Sequence, residues 1–166
     1  MSTLFYISAV VALIATVMVV TRSNAVHALL YFVVSLLSVA LIFYTLGAPF
    51  AAALEVIIYA GAIMVLFVFV VMMLNLGKSA TARERHWIQP DIWTGPAVLS
   101  AILAAELCYM LASAGGTRPE APTVIDAKSV GIALFGPYLL AVELASMLLL
   151  AGLVAAYHLA RAEERS

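Results

Sequence analysis

Charge and cysteine are both scarce in this chain of 166 residues. Only 10% of the residues are charged and 66% are hydrophobic, whereas a soluble domain has about 25% charged residues. The formal net charge of −1 provides no basic surface for nucleic acid. Cys108 is the only cysteine, so the chain can form neither an internal disulfide nor a cysteine-ligated cluster. The composition therefore predicts an integral membrane protein.

Motifs for nucleotides and metals are also missing. The sequence contains no Gly-x-Gly-x-x-Gly turn for a dinucleotide and no complete Gly-x-x-x-x-Gly-Lys-Ser/Thr loop for a nucleotide. His27 and His158 have no second ligand three or four residues away, the spacing that would place two metal ligands on one helix face. We therefore expect this chain to bind no redox cofactor and no metal by itself.

Long apolar segments predict an all-α fold with five transmembrane helices in a single membrane domain, residues 1–166. A spanning helix needs about 20 mostly apolar residues, and five segments qualify: about 3–21, 27–46, 50–76, 92–113 and 137–160. With the N-terminus outside, six lysines and arginines lie on the inner side and two on the outer side. The residues on the inner side are Arg22, Lys78, Arg83, Arg85, Arg161 and Arg165, and those on the outer side are Arg118 and Lys128. This asymmetry predicts an N-out, C-in topology.

Three glutamates stand alone inside these apolar segments: Glu55, Glu106 and Glu143. A carboxylate in hydrocarbon costs about 2.5–3.5 kcal/mol on insertion scales, so it usually faces a protein interior or a water-filled path. In the predicted topology all three lie roughly 8–10 Å below the outer boundary. They could therefore handle protons together, or simply bind neighbouring subunits. Glu106, which follows two alanines, best fits the second role.

The third predicted helix combines a carboxylate, a phenol and a stretch of small residues. Glu55 and Tyr59 are i,i+4 neighbours, so their side chains can join one hydrogen-bond chain. Ala60-Gly61-Ala62 removes side-chain bulk midway along the helix. Small residues let another backbone approach closely, whereas a glycine can also act as a hinge. The pattern alone favours close packing over a hinge.

The sequence of this helix resembles a known family. The string Glu55-Val-Ile-Ile-Tyr59-Ala-Gly61-Ala-Ile-Met-Val65-Leu-Phe-Val-Phe-Val-Val-Met72 is similar to the J subunit of proton-pumping NADH:quinone oxidoreductase, respiratory complex I. The mitochondrial relative is NADH dehydrogenase chain six. Two further stretches, from Asn24 to Leu30 and from Val130 to Ala151, fit the same family. The resemblance covers essentially the whole chain.

The resemblance implies a multi-pass subunit of the bacterial inner membrane that helps couple quinone reduction to proton translocation. Such a subunit is part of an enzyme without being the catalyst itself. NADH, FMN, the iron–sulfur clusters and quinone then belong to partner subunits. The expected partners are other membrane subunits, especially the quinone-site subunit and the small subunit that links to the antiporter-like ones, together with the lipid bilayer.

The resemblance also implies roles for particular residues. The family's third helix carries a π-bulge, which matches Tyr59 and Gly61 here and extends the expected hinge to Ala62 and Val65. Relaxation of that bulge to regular α-helix is associated with switching between states of the enzyme, which favours a hinge at Gly61. The expected proton path comprises Glu55, Tyr59 and Glu143. Glu106 matches no carboxylate of the family.

Two other functions remain open from the residues. One is a related subunit of a multi-subunit cation/proton antiporter, which shares ancestry with this family. The other is a structural scaffold of the membrane arm, in which the carboxylates only bind partner helices.

Overall fold

A computed structural model of the chain describes residues 3–22, 24–73, 90–113 and 124–163. Within these ranges the fold is all-α, and five helices are long and apolar enough to cross a membrane, as predicted. The elements are α1 (Thr3–Thr21), α2 (Ala25–Thr45), α3 (Pro49–Met73), α4 (Pro90–Ser113), α5 (Ala127–Leu134) and α6 (Leu139–Glu163). The predicted end of the third helix, at residue 76, lies outside the described residues.

A side-chain cap explains why α2 begins two residues earlier than predicted. The side-chain oxygen of Asn24 accepts hydrogen bonds from the backbone N–H groups of Val26, at 3.0 Å, and His27, at 3.4 Å. These are two of the donors that the first turn of a helix leaves without intrahelical partners. The helix therefore starts at Ala25, directly after its cap.

The turn between α2 and α3 is as short as the sequence predicts. Gly47 has a φ of 83°, a backbone conformation that other L-residues rarely adopt. Its N–H donates to the carbonyl of Tyr44, and the N–H of Ala48 donates to the carbonyl of Phe43, both at 3.0 Å. This pair of hydrogen bonds is a Schellman motif. Pro49 then occupies the first turn of α3, where no N–H is needed.

One helix was missing from the predicted architecture. The sequence predicts a break from Gly115 to Gly136, but α5 spans Ala127–Leu134 within the described part of it. Asp126 caps α5 by accepting hydrogen bonds from the Oγ of Ser129, at 2.6 Å, and from its backbone N–H, at 2.9 Å. These bonds hold the pKa of the Asp126 carboxyl below its usual range. The turn 135–138 then leads into α6.

The chain divides into two compact units, residues 1–124 and 125–166. The first unit has its core where α1, α2 and α4 meet, and Val11, Ala15, Val34 and Leu103 are buried there. A hydrogen bond of 2.9 Å between the hydroxyls of Thr16 and Ser35 joins α1 to α2. The second unit consists of α5 and α6, and the side chains of α6 are almost all exposed.

Tyr31 packs its phenol directly against Gly95, so α2 and α4 approach closely. Tyr31 is buried, and the guanidinium of Arg22 lies 5.7 Å from the centre of its ring, within the range of a cation–π contact. A Cβ added at Gly95 would overlap the Tyr31 hydroxyl. Glycine at position 95 therefore makes room for the tyrosine.

We expect Gly95→Ala to destabilise the protein by about 1–3 kcal/mol, because the added methyl group overpacks a filled site. The measurement is the thermal unfolding of the purified chain in detergent, followed by circular dichroism. Gly152→Ala is the matched control, since a Cβ at Gly152 meets nothing within 4 Å. Equal unfolding temperatures for the two variants would contradict the close contact between Tyr31 and Gly95.

Candidate functional site

A π-helical segment interrupts α3 over nine residues, Glu55–Ile63. The backbone N–H of Met64 points to the carbonyls of Gly61, three residues earlier, and Tyr59, five residues earlier. In a regular α-helix it would bond to the carbonyl four residues earlier, that of Ala60. The flanking residues Leu54 and Met64 have ordinary helical angles, with φ/ψ of −64°/−38° and −66°/−38°. The wider turns are therefore inserted into a helix that stays continuous on both sides.

Gly61 lies inside this segment, at a point where the backbone is crowded. A Cβ added there would lie 3.2 Å from the carbonyl oxygen of Val56, five residues back. Such a contact is tighter than nearly all real Cβ contacts, so the neighbour would have to move by a few tenths of an ångström. The π-helical geometry therefore favours glycine at position 61. Of the other predicted hinge residues, Ala62 lies within the segment and Val65 lies two residues beyond it.

Glu55 is the first residue of the π-helical segment and is half-buried. Tyr59, one turn further on, is 50% exposed. The two side chains make no direct hydrogen bond, and no described side chain bonds the Glu55 carboxylate. The structure therefore brings the predicted pair to one short stretch of α3 without linking them directly.

Glu143 belongs to the second compact unit and is exposed on α6. The hydroxyl of Ser146 donates to its backbone carbonyl at 2.7 Å, but its carboxylate has no partner among the described side chains. Met147 and Leu150, which follow it within two turns, are also exposed. In this chain by itself, the acid thus stands on an open helix surface.

Glu106 has the most enclosed side chain of the three glutamates. It is only 5% exposed, and its Oε2 accepts a hydrogen bond of 2.8 Å from the Oγ of Ser8 on α1. Its spacing explains this position, because Leu99 and Leu103 precede it on the same inward face of α4. Glu106 therefore finds its partner within the chain.

Ser8 is the polar residue that the sequence analysis missed. It is 1% exposed and shares the buried face of α1 with Val11 and Ala15. The i, i+3, i+7 spacing of these three residues marks one face of a helix and could have identified Ser8 as inward-facing. Its partner on α4 could not be identified in this way, since the two residues are 98 positions apart.

Among the described residues, no group of three or more His, Cys, Asp or Glu side chains could hold a metal ion. Cys108 is a free thiol on the exposed side of α4.

A family profile and individual relatives both match this chain over most of its length. The family profile of NADH-ubiquinone/plastoquinone oxidoreductase chain 6 matches residues 15–159. NADH-quinone oxidoreductase subunit J of Pseudomonas aeruginosa is 59% identical over 161 residues, covering 97% of each chain. The subunit J of Escherichia coli K12 is 58% identical over 162 residues, covering 98% of this chain and 87% of the relative. This chain therefore belongs to the NADH-ubiquinone/plastoquinone oxidoreductase chain 6 family, which includes the bacterial J subunits.

Proposed function

We propose that this chain is a membrane-arm subunit of NADH-quinone oxidoreductase that helps couple quinone reduction to proton translocation. Its five spanning helices and its bacterial relatives make it a multi-pass protein of the inner membrane. The observation that carries the coupling role is the π-helical segment Glu55–Ile63, which begins at a membrane carboxylate and contains Gly61. π-turns are rare and occur frequently at functional sites.

The proposed mechanism is a change of register in α3. Quinone chemistry in a neighbouring subunit shifts Glu55–Ile63 between the π-helical form and a regular α-helix. Each residue that leaves the wider turns rotates the part of α3 beyond it by about 100° relative to the part before it. That rotation would make or break a water-filled proton path beside Glu55, Tyr59 and Glu143. The proposed hinge comprises Tyr59, Gly61, Ala62 and Val65.

The packing of Met64 suggests that α3 switches between two distinct arrangements and does not rotate gradually. It is 1% exposed, and it directly follows the π-helical segment. A rotation at this point would therefore remove a buried side chain from its packing. Because packed interiors resist gradual deformation, such a side chain favours one arrangement or the other. Coupling between distant sites requires an element with this property.

The last helix offers a surface for a partner subunit. Glu143 and Arg161 are 18 residues apart, which is five turns of an α-helix, so they lie on one face about 27 Å apart. Tyr157 and His158 lie close to the same face. Lipid would penalise the exposed Glu143 carboxylate, so we infer that another subunit of the complex covers it. The quinone-site subunit and the small antiporter-linking subunit are the proposed neighbours, with the N-terminus of the chain outside.

The proposal gives this chain no redox centre. NADH, FMN, the iron–sulfur clusters and quinone would be bound by partner subunits, so the chain would be a non-catalytic part of the enzyme. The absence of dinucleotide motifs and of a cysteine set from its sequence supports this assignment. A scaffold that only holds partner helices is the second candidate, and it is favoured because no described side chain binds the carboxylate of Glu55 or Glu143.

Replacement of the native J subunit tests the proposal. We expect this chain to restore NADH-driven quinone reduction and vesicle acidification in an Escherichia coli strain that lacks its own J subunit, because the two are 58% identical over nearly the whole chain. An empty vector is the control, and the amount of assembled complex is measured on native gels. Normal assembly without NADH-driven acidification would contradict the coupling role. Sodium–proton exchange without NADH would instead indicate an antiporter subunit.

A further inference from the structure

Glu106 and Ser8 form a buried polar site that the proposed proton path does not use. Ser8 donates its only hydroxyl proton to Oε2 of Glu106 at 2.8 Å. The other carboxyl oxygen, Oε1, is also buried and has no hydrogen-bond partner in the described part of the chain. Both residues are at least nine-tenths buried. Glu106 is thus enclosed within the helix bundle, and only one of its two carboxyl oxygens has a described hydrogen-bond partner.

No described positive charge lies near this acid. Glu106 faces α1 and α2, whose titratable or charged side chains are Tyr6, Arg22, His27, Tyr31 and Tyr44. Arg22 alone among these is permanently charged, and it is 14 residues from Ser8, about 21 Å along α1. Its guanidinium lies over the ring of Tyr31, at the opposite end of the bundle. An ionised Glu106 would therefore be a buried charge without a counter-ion among the described residues of the first unit.

Burying an ionised carboxylate costs far more than burying a neutral acid with one unused hydrogen-bonding position. In the neutral form, one carboxyl oxygen still accepts the hydrogen bond from Ser8, and the other carries the proton in place of a negative charge. Its neighbours on α4, Leu99 and Leu103, are apolar and point into the same core. The enclosure therefore suits a neutral group that can accept one hydrogen bond.

We propose that Glu106 and Ser8 form a proton-holding site in which Glu106 stays a neutral acid and joins α4 to α1. The site differs from the proposed path through Glu55, because its acid faces the interior of the chain and already has its main partner there. Its proton is held for structure and is not passed on during turnover. Glutamine, which has nearly the same shape and no charge, should therefore replace Glu106 with little loss.

The first test compares Glu106→Gln with Glu106→Ala in the assembled complex in native membranes. We expect Glu106→Gln to assemble normally and to keep NADH:quinone turnover and acidification within about twofold of the wild type. Glu106→Ala and Ser8→Ala should reduce the amount of assembled complex, because both remove the link between α1 and α4. If Glu106→Gln is as defective as Glu106→Ala, the charge is required and the proposal is wrong.

The second test detects the proton by chemistry, in the wild-type complex and in the Ser8→Ala complex that still assembles. The O–H group of a protonated acid adds across one C=N bond of a membrane-soluble carbodiimide, which gives an O-acylisourea. The acyl group then moves from this oxygen to nitrogen and leaves a stable N-acylurea adduct on the side chain. Mass spectrometry of this chain, taken from wild-type complex, should find the adduct on Glu106 at neutral and mildly alkaline pH. Ser8→Ala, which opens space beside Oε2, should give at least as much adduct. Absence of the adduct from both proteins would overturn the proposal.

Discussion

Glu55→Gln is expected to lower NADH-driven acidification of sealed membrane vesicles by at least about tenfold, which corresponds to about 1.4 kcal/mol in the barrier of the coupled step. Glutamine keeps the size of the side chain and most of its hydrogen-bonding capacity, but it can neither accept nor release a proton. If Glu55 carries protons beside the π-helical segment, this single change interrupts the path while the fold survives. The dye-quench amplitude and the quinone reduction rate are measured on the same vesicles.

Two comparisons separate proton transfer from structural damage. Glu106→Gln is the matched control, since it makes the same chemical change in another membrane glutamate and should leave acidification near the wild-type level. Glu55→Asp keeps a protonatable group but moves it about 1.5 Å, so we expect an intermediate rate. Glu143→Gln should resemble Glu55→Gln. If both Gln variants at 55 and 143 pump normally, alone and combined, the scaffold function is correct.

Gly61→Val is expected to slow quinone reduction by about tenfold or more while the complex still assembles. A Cβ at this position would lie 3.2 Å from the carbonyl oxygen of Val56 in the π-helical form. A regular α-helix relieves this contact, and alanine favours that form over glycine by about 1 kcal/mol in addition. Valine adds two γ-carbons that crowd the preceding turn. The substitution should therefore hold α3 away from its π-helical form.

We expect turnover to be fastest in the wild-type protein, slower in Gly61→Ala and slowest in Gly61→Val, because crowding at position 61 increases in that order. Steady-state quinone reduction is measured per assembled complex. Gly152→Val is the control, since it places the same side chain in α6 at a position with open space. A Gly61→Val protein with wild-type turnover would remove the hinge from the mechanism.

The spanning helices could be predicted from sequence because each is a long apolar run, and the hairpin after α2 because Gly47 and Pro49 restrict its backbone. The short helix α5 was missed, although Asp126 and Ser129 carry the cap that starts it. A cap of this kind is a local signal for a short helix, and a length criterion for membrane spans does not detect it.

In the candidate site, too, features that depend on nearby residues could be predicted, whereas contacts between distant residues could not. The glutamates are evident in the sequence because each is isolated in an apolar segment. The contact between Ser8 and Glu106 depends on how α1 and α4 pack, which periodicity cannot determine. No described side chain binds the carboxylate of Glu55 or Glu143. Partners contributed by another subunit would leave no trace in the sequence of this chain.

The central claim concerns one backbone hydrogen bond, the one donated by the N–H of Met64. High-resolution cryo-electron microscopy of the complex, at rest and during turnover with NADH and quinone, can show which carbonyl accepts it. We predict two populations of particles. In one, the N–H of Met64 points to the carbonyls of Gly61 and Tyr59, as it does here; in the other, it bonds to the carbonyl of Ala60, and the side chains beyond it are rotated. A bond to Tyr59 in every population under turnover would contradict the mechanism.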